Sequence, residues 1–596
     1  MKRDERGLAG AEVRGRGREW RRCQQGSASA PARSWTAVAP PKPMPASGTY
    51  VTSAQAAVYQ SYMRTHSESE TARELAISQI RVREALVQVE RNLLRDAGLR
   101  PPPLKEMLRG DVSTRFQISR DLRNGRPASH ARAVAMTVPA APAAGPVATA
   151  WRRVAPPAHG VRRLVITAAR GETAPHGGFM RNLKGFAAHH GAELVVAALG
   201  PRAGSESHLT RTPIDMASRL DLRADVLPPM VSRLPLEGLQ HLSPDRWAVF
   251  PHATQQLESL PRVGSLPPRV QLTTGAATSH SDAARRTPAR LGALIVEMLP
   301  DGRVFARAVS TAASGNGAFH DLDVHVSDGR VSTGRRVAGL VVGDLHHPHC
   351  DPAAVRATWG DGDGHLGLVG RLRPRLQVIH DACDMRARSH HQRRDAHARF
   401  AHHVRGTGDV RAELAGTVAF LERIRLDDGV TAVVHSNHDD HLLRWLREAD
   451  HRTDPLNAEF QLDRERALLA RIRGGLGAAT FFAETMRSLS LDGLDGVRFV
   501  ADGESLLVGG VECGVHGHAG PDGARGWVGA FERLGIDMVL GHFHHPCARG
   551  GIHVAGICQL DLGYNRGPTR WAIAHVVVHD DGSRQHVFLD GDRFAA

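Results

Sequence analysis

Five short polar stretches in the C-terminal half of this 596-residue chain limit its fold more than any other feature. They are Asp344-Leu345-His346, Asp381-Ala382-Cys383-Asp384, Asn437-His438-Asp439, His516-Gly517-His518 and Gly541-His542-Phe543-His544. Apolar runs lead into the first and the third (Val337 to Val342; Val433 and Val434). Together the five offer carboxylate oxygens, one amide and several imidazoles, a donor set suited to a pair of borderline divalent ions. Each is weak alone, because a chain with 35 His produces pairs such as His346-His347, His390-His391 and His402-His403 by chance. Their order and mixture of residue types carry the information. A fold that satisfies all five must bring residues distant in the chain to one place.

That order resembles the calcineurin-like metallophosphoesterase superfamily, over residues 335 to 596. The family pattern runs Asp-x-His, Gly-Asp-x-x-Asp, Gly-Asn-His-Asp/Glu, a lone His and Gly-His-x-His, each at a strand end. The first and last match in full, whereas His380 and Ser436 replace loop glycines of the second and third. These departures touch loop backbone and leave the ligand types intact.

The resemblance implies a four-layer αββα sandwich over residues 336–596 and two divalent ions. Manganese is the expected metal, with magnesium, zinc and nickel as alternatives. It implies one ion held by Asp344, His346, Asp381 and His544, and a second held by Asp381, Asn437, His516 and His542. Asp381 is then the bridge, since a carboxylate has lone pairs for two cations. Ions about 3.5–4 Å apart clamp the attacking and leaving oxygens of an in-line displacement and turn a shared water into a hydroxide nucleophile. The implied catalytic pair is His438, protonating the leaving oxygen, and Asp439, orienting its ring.

A net charge of +14 favours an anionic partner, nucleic acid first. Only four of the 76 basic residues are Lys (Lys2, Lys42, Lys105 and Lys184), and a high-GC genome gives such Arg enrichment without selection for DNA binding. No apolar run approaches the roughly 20 residues that span a bilayer. The Arg-rich amino terminus lacks the apolar centre of a secretory signal. The six cysteines form no Cys-x-x-Cys pair and read as reduced thiols, which places the protein in the bacterial cytoplasm.

Residues 1–50 read as a disordered basic arm, for which an overextended start codon is an equal explanation. Residues 51–124 read as a winged helix-turn-helix. Leu75, Ile77, Val82 and Leu86 are spaced to pack two short helices, Ser78 caps the second, and Ala76 takes the usual turn glycine's place. Gln79, Arg81, Arg83 and Gln88 would then face DNA. A helix from Ala54 to Arg64 and a hairpin near Arg109 to Arg120 complete the module; the alternative is a helical interaction module, and homo-oligomer formation through it stays open.

Residues 125–160 are Ala/Pro-rich and read as a linker. An α/β accessory region at 161–335 follows, opening with a β-α-β unit: strand Arg163 to Thr167, helix Phe179 to His190, strand Ala192 to Ala197. Strands at Leu294 to Leu299 and Val304 to Ser310 turn at Asp301-Gly302. Whether this region caps the metal site or extends its sheet stays open. Beyond the second metal stretch, Arg386, Arg388, His390, His391, Arg393 and Arg394 would grip scissile-strand phosphates, or form a solvated basic face.

This domain order is similar to a group of phage proteins related to pre-early DNA-transfer proteins associated with host-DNA degradation. Segments such as Thr173-Ala174-Pro175-His176 and Gly563-Tyr564-Asn565-Arg566-Gly567-Pro568 prompt the comparison. The expectation is therefore a chain of the α/β class and a metallophosphoesterase in activity: a phage-encoded, metal-dependent phosphodiesterase or nuclease acting on DNA. A nucleotidase-like small-molecule phosphatase and a noncatalytic DNA-binding or assembly factor with a structural metal site are the alternatives.

Overall fold

The computed structural model describes residues 57–88 except 59, 63–67, 80 and 83, and residues 150–595 except 200–208, 229–231, 265, 279–289, 312–314 and 393–394. The chain is mixed α/β with several sheets and divides into two compact units, Met1–Gly145 and Pro146–Ala596. Among the described residues no helix is long and apolar enough to cross a membrane.

In the first unit, helix Glu68–Glu74 ends in a tight turn at Leu75 and Ala76, and helical residues resume at Gln79. Ala76 takes a positive φ of 53°, the left-handed conformation for which glycine is the usual choice. Val58, Tyr62, Ala72, Val82 and Leu86 form a small core, with Leu75, Ile77 and Ala85 packed on it. The Ser78 hydroxyl accepts the Arg81 amide at 3.3 Å and caps the second stretch. The expected basic arm at 1–50 and the hairpin at 109–120 lie outside the described residues, as does most of the linker.

In the second unit, a six-stranded sheet runs Val497–Val500, Val430–Val434, Leu376–Ile379, Gly339–Val341, Ala574–Val578, Arg584–Phe588. The first four strands are parallel and the last two form an antiparallel hairpin at the sheet edge. Parallel neighbours require crossover connections. Helices Pro352–Trp359 and Gly367–Leu372, then helix Val410–Ile424, then Asp440–Glu448, Ala458–Arg473 and Phe481–Leu489 supply them. Leu414, Leu421, Leu442, Trp445, Phe481 and Met486 from these helices pack on Leu340, Ile379 and Val433 of one sheet face. On the other face, Val341, Val378, Val434 and Val576 meet Val508, Val511 and Val539 of a second sheet. Helix Val528–Phe531 covers that second sheet from behind, with Phe531 against Met538, Leu540 and Ile552. Burial on both faces explains why these strands read as unbroken Val-rich runs.

The second sheet has eleven strands, five of which, between Ile214–Met216 and Arg269–Thr273, come from residues 161–335; the other strands of that region form a four-stranded and a three-stranded sheet. Strand Leu257–Leu260 pairs antiparallel with Cys547–Arg549, and the Ser259 hydroxyl donates to the Pro546 carbonyl at 2.9 Å. The accessory region thus extends the sheet that carries part of the polar cluster. Its outermost strand, Arg152–Val154, lies inside the stretch read as linker and pairs in parallel with Ile214–Met216. The expected β-α-β unit is present: strands Arg162–Arg170 and Glu193–Leu199 are parallel, joined by helix Gly177–His190, which stops at Gly191 with a φ of 59°. Gly292–Met298 and Val304–Ser310 form the expected hairpin. Buried Arg307 links this hairpin to strand Phe319–Asp321 of a neighbouring sheet, donating to Glu297 at 2.6 Å and to both oxygens of Asp321 at 2.9 Å.

Candidate metal centre

All five polar stretches follow the C-terminal ends of strands that run parallel within their own sheets. Asp344 and His346 follow Gly339–Val341, Asp381 follows Leu376–Ile379, and Asn437 follows Val430–Val434. His516 follows Val511–Glu512, and His542 and His544 follow Met538–Leu540. Such edges are where open α/β sheets hold ligands. The turns after the strands are sharp: His346, Asp381, His542 and His544 all take positive φ, at 50°, 44°, 68° and 59°. Strain of this kind costs about 1–3 kcal/mol per residue and concentrates at functional sites. Gly541 cannot be replaced, because a Cβ there would fall 2.4 Å from an Asp344 carboxylate oxygen.

Asp344, His346, Asp381 and His544 bring one ligand atom each to within 4.8 Å of one another. His346 Nε2 lies 3.0 Å from His544 Nε2, so two imidazole nitrogens converge on one point. Asp381 divides its oxygens: Oδ2 is 3.4 Å from His346 Nε2 and Oδ1 is 3.3 Å from His516 Nε2. The His542 ring lies 5.2 Å from that of His516. Both oxygens of Asp344, Asp381 Oδ1, Asn437 Oδ1 and His516 Nε2 are buried without a hydrogen-bond partner. Orphaned lone pairs are costly in a protein interior. Unpartnered lone pairs on Asp344, Asp381 and His516, beside the converging nitrogens of His346 and His544, fit a metal ion; four of the seven side chains expected as ligands, Asn437 among them, carry such an orphaned atom.

Electrostatics agree. Burial, then the neighbouring Asp381, pushes the Asp344 carboxyl up to about 7. Burial opposes ionisation of Asp381 as well, but His516, His438 and His346 outweigh it and hold its pKa well below the ordinary carboxylate range. Burial lowers His542 to about 3 and His544 to about 4, so both imidazoles are neutral and have lone pairs to give. Asp381 is the ionised carboxylate of the cluster, and with Asp344 it raises the pKa of His516 against burial, so a positive charge is favoured at this point.

The surrounding shell departs from expectation in one respect. His438 Nδ1 donates to the backbone carbonyl of Asp384 at 2.8 Å, so Asp384 orients this ring and Asp439 does not. The Asp439 carboxylate instead accepts the Ser436 amide at 3.0 Å, bracing the loop that carries Asn437 and His438. Asp384 also accepts from His346 Nδ1 at 3.1 Å, which turns Nε2 toward the cluster, and from the Tyr564 hydroxyl at 3.4 Å. The sequence motif contains Asp384 but gives it no role; its spacing three residues after Asp381 is the signal that was available. Trp571 packs edge-on against His544 with centroids 4.6 Å apart. Outer partners of metal-binding His are worth about 10- to 100-fold in metal affinity. Asp384→Asn is therefore expected to weaken manganese binding by about that factor, read by titration calorimetry on chelator-stripped protein.

The residues expected to touch DNA are placed unevenly. Gln79 and Arg81 are exposed and Gln88 is half-buried on the same helical stretch, while Arg83, Arg393 and Arg394 lie outside the described residues. Of the basic run after the second stretch, Arg388 is bound to both oxygens of Asp454, at 2.5 and 2.7 Å, so it has little left to offer a phosphate. Arg386 sits with its guanidinium 5.4 Å from the Tyr564 ring centroid.

No protein-family model and no solved structure matches the chain. It is similar to a protein designated Protein A1 of Escherichia phage T5, with 30% identity over 468 residues that cover 73% of this chain and 83% of that protein.

Proposed function

This chain belongs to the family of phage T5 Protein A1, and from that premise we propose that it is a phage-encoded, metal-dependent phosphodiesterase that hydrolyses DNA. One observation carries the reading: Asp344, His346, Asp381 and His544 converge within 4.8 Å while the second oxygen of Asp381 faces His516. A carboxylate that turns one oxygen to each of two imidazole groups has the geometry of a bridge between cations. The order helices, sheet, sheet, helix around this edge supports the four-layer αββα arrangement of the calcineurin-like metallophosphoesterases. When bound, two divalent ions supply Lewis acidity, polarising a phosphoryl oxygen and lowering the pKa of a shared water to about 7.

The chain's own groups do the rest. Asp344, His346 and His544 would hold one ion, Asn437, His516 and His542 a second, and Asp381 would contribute to both. His438, anchored through Nδ1, keeps Nε2 for the leaving oxygen. Burial disfavours its charged form, but Asp381 and Asp384 outweigh that and raise its pKa, the direction that suits a general acid. The packed helical pair at 57–88, with Gln79 and Arg81 outward, serves as a helix-turn-helix that concentrates the enzyme on DNA. Purified protein is expected to degrade linear DNA and bis(p-nitrophenyl) phosphate with manganese, and to act more slowly on p-nitrophenyl phosphate. Activity on the monoester alone would point to a small-molecule phosphatase; two bound ions with no hydrolysis of any ester would point to a structural metal site.

A further inference from the structure

Two cavities border the metal centre. One, of about 840 Å³, is lined by His542, Phe543, Arg525, Trp527 and Arg570, and also by Gln256, Leu257 and Glu258 of the accessory region. The other, of about 510 Å³, is lined by Asp384, His438, His441, Tyr564 and Arg566. A phosphomonoester continues in one direction from phosphorus, whereas a diester within a chain continues in two. Space beside both His542 and His438 suits the latter.

Each cavity carries an aromatic ring that folding alone does not require to be accessible. Trp527 is 50% exposed. Its ring is seated over Gly529, where a Cβ would fall 2.0 Å from Cζ3, and the Arg533 guanidinium lies 5.4 Å from the ring centroid. Tyr564 is 40% exposed and held by Arg386 and by its hydroxyl contact to Asp384. Arg525 and Arg566 line the two cavities with no carboxylate partner among the described residues. The larger cavity also carries Glu237 and Glu258, so charge alone gives it little hold on a phosphate chain. Stacking is the stronger attraction there. Bases in a duplex have their faces covered by their neighbours, while those of an unpaired strand stack readily on aromatic side chains.

Resting on the phosphodiesterase reading for the position of phosphorus, we infer that the substrate is an unpaired DNA strand crossing the metal centre, with one base stacked on Trp527 and another on Tyr564. The accessory region then contributes directly to the site, because its strand Leu257–Leu260 closes one side of the DNA path.

The test is equilibrium binding of a fluorescein-labelled thymidine 12-mer to the full chain in EDTA, by anisotropy, with a 12-base-pair duplex alongside. The wild type is expected to bind both DNAs, the duplex through the helix-turn-helix and the single strand also through Trp527 and Tyr564. Trp527→Ala is expected to weaken single-strand binding about tenfold, within the range of one base–aromatic stack, and Trp527→Phe to restore most of it. Tyr564→Ala is expected to behave likewise. If either Trp527→Ala or Tyr564→Ala binds the single strand within twofold of wild type, or weakens duplex binding as much as single-strand binding, the inference is overturned. Failure of the enzyme reading is separate: it would appear as no hydrolysis of bis(p-nitrophenyl) phosphate by wild type with manganese, whatever the binding data show.

Discussion

Asp381→Asn is expected to lower phosphodiester hydrolysis by about 10³-fold or more, the scale seen when a transition-state charge loses its stabilising partner. The reason is positional. Asp381 is the only side chain of the cluster with one oxygen toward His346 and the other toward His516. An amide keeps the volume but offers one acceptor oxygen and no charge, so both cation positions lose a ligand together. Loss of a peripheral ligand would weaken one position and leave the other. The effect should therefore appear in metal content as well as rate, with the variant retaining fewer than two ions per chain. Circular dichroism unchanged from wild type would assign the loss to the centre and not to unfolding. Full activity in Asp381→Asn would be incompatible with a bridging role.

His438→Ala is expected to slow DNA cleavage by about 10²- to 10⁴-fold, the usual contribution of a general acid, while hydrolysis of bis(p-nitrophenyl) phosphate falls far less. The sugar oxygen released from DNA is a poor leaving group that needs a proton; p-nitrophenolate leaves without one. The ring is well placed for this, since Nδ1 is committed to the Asp384 carbonyl at 2.8 Å and the side chain lines the cavity shared with Tyr564. Equal losses on both substrates would mean that His438 acts on substrate binding or on transition-state charge instead of donating a proton to the leaving oxygen.

Much of this centre was legible in the sequence because its parts are local. Apolar runs such as Val337 to Val342 announce buried strands, and the polar residues directly after them belong to the strand ends. The β-α-β unit at Arg162–Leu199 was legible for the same reason, its apolar period changing between strand and helix. What could not be read depends on partners remote in sequence. Strand Leu257–Leu260 joins Cys547–Arg549 through backbone pairing, for which no short-range pattern exists. Arg152–Val154 is too short to show a period and sits beside Ala and Pro residues that suggest a linker. Arg388 looks like a phosphate ligand until Asp454 is found against it. The resemblance implied that Asp439 orients His438, a contact that the loop instead gives to Asp384.

The most direct test of the central claim is a metal titration of chelator-stripped protein, counting bound manganese by mass spectrometry while following bis(p-nitrophenyl) phosphate hydrolysis. The account predicts that two ions bind per chain and that hydrolysis rises with occupancy of the second. Hydrolysis at full rate with no bound metal, or ions that remain bound when Asp381 and His542 are both replaced by alanine, would contradict it.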